Sequence, residues 1–135
     1  MALTPAQRKF LEEKRFAVIG TTNPSGSPQL TVMWYVLDGD EIVFNTKAGR
    51  AKDINLRRDP RVSILVIADD PYRYLRIDGR VRTITDQPTA QNDIRRIAMR
   101  YYEDAARVDK AMRDNFGKQE RISYRVPTTR VTDHE

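Results

Sequence analysis

Apolar and polar positions along the chain follow two rhythms, and the change of rhythm divides it into elements. Residues 15–22, RFAVIGTT, read as a buried strand. The turn formers NPSGSP at 23–28 close a hairpin onto 29–37, QLTVMWYVL, which is rich in β-branched and aromatic residues. DGD at 38–40 turns that strand into EIVFNT at 41–46. RVSILVIA at 61–68 is a strongly apolar strand, and DDPYR at 69–73 is a loop. YLRIDGRVRTIT at 74–85 alternates, with Leu75, Ile77 and Val81 inward, Arg76, Asp78, Arg80 and Arg82 outward, and Gly79 read as a bulge. RISYRVPTTRVT at 121–132 is the last strand.

Helical spacing appears three times. Thr4-Pro5-Ala6-Gln7 combines an N-cap threonine, proline at the first helical position and glutamine at the capping-box position, so a helix should run to about Lys14. Residues 50–60 predict a short helix that stops before Pro60. From Gln87 to about Phe116 the apolar positions Ile94, Ile97 and Ala98 lead on to Tyr101 and Tyr102 at helical intervals. Six strands joined mostly by short turns imply antiparallel pairing, and with few helices they suggest a small barrel closed on itself.

Length and composition narrow the classes. The 135 residues predict a single domain over 1–135, and 39% hydrophobic with 32% charged residues is the balance of a globular protein. No apolar run is long enough to cross a membrane, and MALTPAQRKFLEEK lacks the apolar core of a secretion signal. Cysteine is absent, which removes disulfides, thiol catalysis and cysteine-based metal sites and fits a cytoplasmic protein. The one histidine, His134, lies next to the chain end, where fraying is expected, so neither histidine catalysis nor a metal site is predicted. A net charge of +5 favours anionic partners without choosing among them.

The chemistry concentrates in NTKAGRAKD, residues 45–53. Lys47, Arg50 and Lys52 surround Gly49 in a turn between a strand and a helix, where backbone N–H groups and a helix N-terminus can face an anion. Thr46 adds a hydroxyl, and each arginine or lysine contact to an anion is worth about 1.5–3 kcal/mol. A solvated basic face on a short helix is the competing reading. Arg57, Arg58 and Arg61 read as a surface helix end near its C-terminal dipole. Along 29–36 one face carries Leu30, Val32, Trp34 and Val36 and the other Gln29, Thr31, Met33 and Tyr35, a pattern suited either to a slot for a planar heterocycle or to core packing. Neither a P-loop nor a G-x-G-x-x-G pattern occurs.

The segment VFNTKAGRAKDINLRRDPRVSILVIADDPYRYLRIDGRV at 43–81, most specifically GRAKDINLRRDPRVSILV at 49–66, resembles the split β-barrel flavin and deazaflavin proteins related to pyridoxamine 5′-phosphate oxidase. The similarity is greatest to the coenzyme F420-dependent reductases of the group B branch, and it covers nearly the whole chain. The resemblance implies a mainly β (α+β) fold, a six-stranded split β-barrel with flanking helices, and a homodimer with the cofactor at the subunit interface. It implies that Thr46, Lys47, Arg50, Ala51 and Lys52 hold the cofactor phosphate, and that Gln29, Thr31, Val32, Met33 and Trp34 run beside the isoalloxazine or deazaflavin ring. The implied reaction is hydride transfer between reduced coenzyme F420 and a small organic substrate, with no dedicated catalytic side chain and no metal. FMN is the alternative cofactor. Ala51 stands between two bases where the FMN branch commonly has adjacent Arg-Lys, which favours the deazaflavin. Pyridoxamine phosphate oxidases continue into a segment rich in Arg and His where this chain ends RISYRVPTTRVTDHE, so pyridoxamine phosphate is not the expected substrate. Outside this family, the rival readings are a basic barrel binding nucleic acid and a cofactor carrier without turnover.

Overall fold

The computed structural model describes residues 3–134. Helix α1 (Pro5–Glu12) precedes strands β1 (Ala17–Thr22), β2 (Pro28–Met33), β3 (Val36–Asp38) and β4 (Glu41–Lys47). Helix α2 (Ala51–Arg58) leads to β5 (Arg61–Ile67), β6 (Tyr74–Arg80) and β7 (Arg82–Ile84). Helices α3 (Gln87–Tyr102) and α4 (Ala105–Asp114) follow, then a 3₁₀ turn (Phe116–Lys118), β8 (Arg121–Pro127) and β9 (Val131–His134). The fold is mixed α+β. All pairing is antiparallel, in one sheet ordered β2-β1-β5-β6-β9 and another ordered β3-β4-β8-β7.

Three segments expected as single strands are each broken once. The 29–37 strand breaks at Trp34 and Tyr35, the 74–85 strand at Val81, and the 121–132 strand at 128–130. In every case the two pieces lie in different sheets. The chain therefore turns corners between two layers, and the ladders form two sheets rather than one closed ring. The layers enclose a core that includes Ile19, Tyr35, Phe44, Ile64, Ile77 and Tyr124.

The bulge expected at Gly79 is absent: β5 and β6 pair without interruption from Arg61↔Arg80 to Ile67↔Tyr74. What the glycine provides is closeness, since a Cβ there would lie 3.2 Å from Val126 Cγ1. His134 does not fray. It pairs with Tyr74 across β6 and β9, and its ring stacks on that tyrosine with centroids 4.7 Å apart.

The α1 capping box forms as expected between Thr4 and Gln7. At the other end of α1, Arg100 from α3 donates to the carbonyls of Leu11 (3.1 Å) and Glu13 (2.6 Å), satisfying acceptors the helix leaves open. The helical stretch from 87 onward is two helices, because Glu103 adopts left-handed backbone geometry (φ 55°) and ends α3. Asp93 of α3, Arg125 of β8 and Asp38 of β3 form an ion cluster that ties the helix to the four-stranded sheet.

Candidate functional site

Strand β4 ends at Lys47 and α2 begins at Ala51, so the basic turn spans the mouth of the four-stranded sheet. One buried carboxylate sets the shape of the turn. Asp53 accepts from the Gly49 backbone N–H (2.8 Å), from Arg57 Nε (2.9 Å) and from the Tyr124 hydroxyl. Burial works against ionisation of Asp53, but these donors prevail and hold its pKa below the ordinary carboxylate value. Gly49 has φ 90°, the left-handed region that favours glycine. Its N–H is thereby committed to Asp53 and does not face outward as the sequence reading expected.

The helix N-terminus remains open. Arg50 caps α2 without a side-chain hydrogen bond, and the N–H groups of Ala51 and Lys52 meet no side-chain acceptor among the described residues. Partial positive charge from the helix therefore adds to the cations around it.

These cations differ from the other arginines nearby. Arg57 is bound by Asp53, Arg61 by Asp59, and Arg58 by Asn55 and the Thr22 carbonyl; Arg57 and Arg58 form the surface helix end read from the sequence, whereas Arg61 opens β5. The side chains of Lys47, Arg50 and Lys52 have no hydrogen-bond or ion-pair partner among the described residues. Lys47 and Arg50 are exposed, whereas Lys52 is only 7% exposed. Burial lowers the Lys52 pKa, and the charges of Arg50 and Arg121 lower it further. Thr46 lies buried beneath the turn, paired with Ile122, and Ala51 is exposed at the first position of α2.

Arg121 is the residue that sequence reasoning missed. It opens β8 and lies directly opposite Lys47 in the ladder. It is 6% exposed, and burial together with the Arg50 charge pushes its pKa down to about 10. Its Nε donates to Asn45 Oδ1 (2.9 Å) and its Nη1 to Gln119 Oε1 (2.6 Å), with no carboxylate partner among the described residues. Buried charge without a counterion is costly, so Lys52 and Arg121 are each suited to an anion.

Strand β2, the other predicted half, is an edge strand turned inside out. Leu30 and Val32 are 66% and 68% exposed, while Gln29, Thr31 and Met33 are half-buried. The Thr31 hydroxyl is fully buried and has no partner, an orphaned polar atom of the kind that marks a ligand-facing position. Gln29 connects to α2 by a relay, in which Asn55 Nδ2 donates to Thr21 Oγ1 (3.1 Å) and Thr21 donates to Gln29 Oε1 (3.0 Å). Trp34, at the corner after β2, stacks on Tyr101 with centroids 4.9 Å apart.

A pocket of about 290 Å³ joins the two halves, lined by Val32, Met33 and Trp34 on one side and by Asn45, Phe116 and Arg121 on another. The structure thus brings the C-terminal end of β2 to the flank of β8 at Arg121, opposite Lys47, while Gln29 connects to α2 through Thr21 and Asn55. The 3₁₀ turn holds Phe116 under the Arg121 guanidinium, 5.0 Å from the ring centre. Gly117 permits that placement, since a Cβ there would lie 2.4 Å from the Met112 carbonyl oxygen. Gly117→Ala is expected to destabilise the protein by about 1–3 kcal/mol, because backbone rather than a flexible side chain must yield. Thermal unfolding checks this, and an unchanged midpoint contradicts it.

Comparison with known proteins shows the family and the fold. The family model described as pyridoxamine 5′-phosphate oxidase matches residues 3–132. The structure of an F420 reductase is 28% identical, with 96% of this chain and 98% of that one covered, and superposes with a TM-score of 0.75. Protein Rv2991 of Mycobacterium tuberculosis is 31% identical, with 100% of this chain and 86% of that one covered and a TM-score of 0.79. The heme storage protein HutZ of Vibrio cholerae shares the fold at 19% identity, with coverages of 99% and 96% and a TM-score of 0.70.

Proposed function

The chain belongs to the pyridoxamine 5′-phosphate oxidase family, and from that premise we propose that it is an oxidoreductase that uses coenzyme F420 to reduce a small organic substrate. The observation that carries this reading is the buried Lys52, without a carboxylate partner among the described residues, beside the uncapped N-terminus of α2. That arrangement fits a phosphate-bearing cofactor. Similarity to an F420 reductase over nearly the full length of both chains supports the deazaflavin. FMN is the second reading, favoured by the family as a whole. Nucleic-acid binding and storage without turnover are further alternatives.

In this reading Lys47, Arg50 and Lys52, with the Ala51 backbone and Thr46 beneath, hold the phosphate. The orphaned Thr31 hydroxyl and Gln29 face the ring system, and Val32, Met33 and Trp34 supply apolar surface beside it. When bound, the deazaflavin supplies hydride-transfer chemistry. The side chains bind, orient and exclude water; no dedicated catalytic residue and no metal are invoked. The exposed Leu30 and Val32 support a homodimer in which a partner covers β2. The nine strands fall into six continuous segments, three of which turn corners between the sheets, and this supports a single-domain, six-stranded split barrel. Among the described residues no helix is long and apolar enough to cross a membrane, and a cytoplasmic place is part of the proposal.

The purified protein is to be titrated separately with coenzyme F420 and with FMN, following absorbance, and its size measured in solution. The expected result is saturable deazaflavin binding by a dimer. Tight binding of FMN alone would sink the cofactor choice, and binding of neither would sink the enzyme reading.

A further inference from the structure

The 290 Å³ pocket has walls of one kind and a single polar feature with spare capacity. Phe16, Met33, Trp34, Ile94, Ile97 and Phe116 make it apolar and aromatic. Asn45 lines it too, but its groups are committed: Nδ2 donates to the Ala90 carbonyl (2.9 Å) and Ser123 Oγ (2.8 Å), and Oδ1 accepts from Arg121. Arg121 is different. Its Nε and Nη1 are engaged by neutral amides, while Nη2 has no partner among the described residues and keeps some accessible surface in a residue that is only 6% exposed. Arginine carries five donors in a rigid fork suited to carboxylates. Phe116 beneath the guanidinium and Asn45 at Nε fix the direction of that fork.

We infer that this pocket binds a small carboxylic acid with an aromatic or branched apolar body, its carboxylate paired with Arg121 and its body between Trp34 and the Ile94–Ile97 face of α3. The pocket opens where Val32 and Phe16 are 68% and 57% exposed, at the end of the strand read above as flanking the ring. The binding claim stands on the pocket alone. Calling the acid the substrate rests on the proposed function. A neutral ligand of the same shape leaves the guanidinium buried without a counterion, which is the energetic basis for preferring the acid.

Trp34 is the only tryptophan in the chain, so its emission reports on the pocket without any cofactor. The probes are 4-tert-butylbenzoate and its neutral isostere 4-tert-butylbenzamide, titrated into cofactor-free protein by tryptophan fluorescence and by calorimetry. The acid is expected to bind at least tenfold more tightly than the amide. Arg121→Gln, which keeps a donor for Asn45, should erase that preference. Equal affinity for acid and amide in the wild-type protein overturns the proposal whatever the variants do. Selective acid binding in a protein that takes up neither deazaflavin nor FMN supports the pocket and overturns only the enzyme reading.

Discussion

Replacing Arg50 and Lys52 together by alanine is expected to weaken deazaflavin binding by about 3–6 kcal/mol, two charge-assisted hydrogen bonds at about 1.5–3 kcal/mol each. That corresponds to a loss of roughly 10²–10⁴ in affinity. The effect on folding should be small and of opposite sign. Lys52 is buried, and that burial, reinforced by Arg50 and Arg121, already disfavours its charge. Removing it relieves repulsion in the free protein and breaks no hydrogen bond or ion pair among the described residues. Affinity by titration and midpoint by thermal unfolding should therefore move independently. An unchanged affinity refutes the phosphate assignment, and a collapsed midpoint refutes the claim that these residues are held for a ligand rather than for the fold.

Asp53 should behave in the reverse way. Asp53→Ala leaves the buried Tyr124 hydroxyl and the Gly49 N–H without their acceptor, at a cost of about 3 kcal/mol. For a chain of this size the expected fall in midpoint is ~10 °C. Cofactor affinity should fall too, although Asp53 faces away from any ligand, because the turn loses its anchor. Asn is the instructive second variant. The folded pKa of Asp53 is depressed, so its stabilisation is complete above the unfolded value of about 3.9 and is lost as pH falls through the lower folded value. The difference between wild type and Asp53→Asn should accordingly be greatest near neutral pH and vanish in acid. A difference that does not shrink at all as pH falls below the unfolded value of about 3.9 would show that the carboxylate charge is not what matters.

Local rules made much of the molecule legible. Thr4 and Gln7 announce the first helix, NPSGSP and DGD the hairpins, Pro60 the end of α2, and the alternation after Tyr74 the buried face of β6. The corners were not legible, since Trp34, Val81 and the 128–130 segment break strands through the demands of two-layer packing rather than through turn residues. Nor does anything local mark Glu103, a non-glycine residue with positive φ. The basic turn was visible because its residues are contiguous. Arg121 was not, because only the register of β4 against β8 places it opposite Lys47. The inverted exposure of β2 was half visible: its two faces could be assigned, but not which of them points to solvent.

That inversion also bears on solubility. In a chain that is 32% charged, residues 16–37 contain no charged side chain. They include β2, which lies at the open edge of its sheet with Leu30 and Val32 outward. Edge strands are ordinarily protected from strand addition by lysines, bulges or an interior proline, and Pro28 stands only at the first position here. An uncovered protomer thus offers a straight, uncharged template for aggregation, and whatever seats itself on β2 acts as a chaperone for the chain as well as a completion of its site.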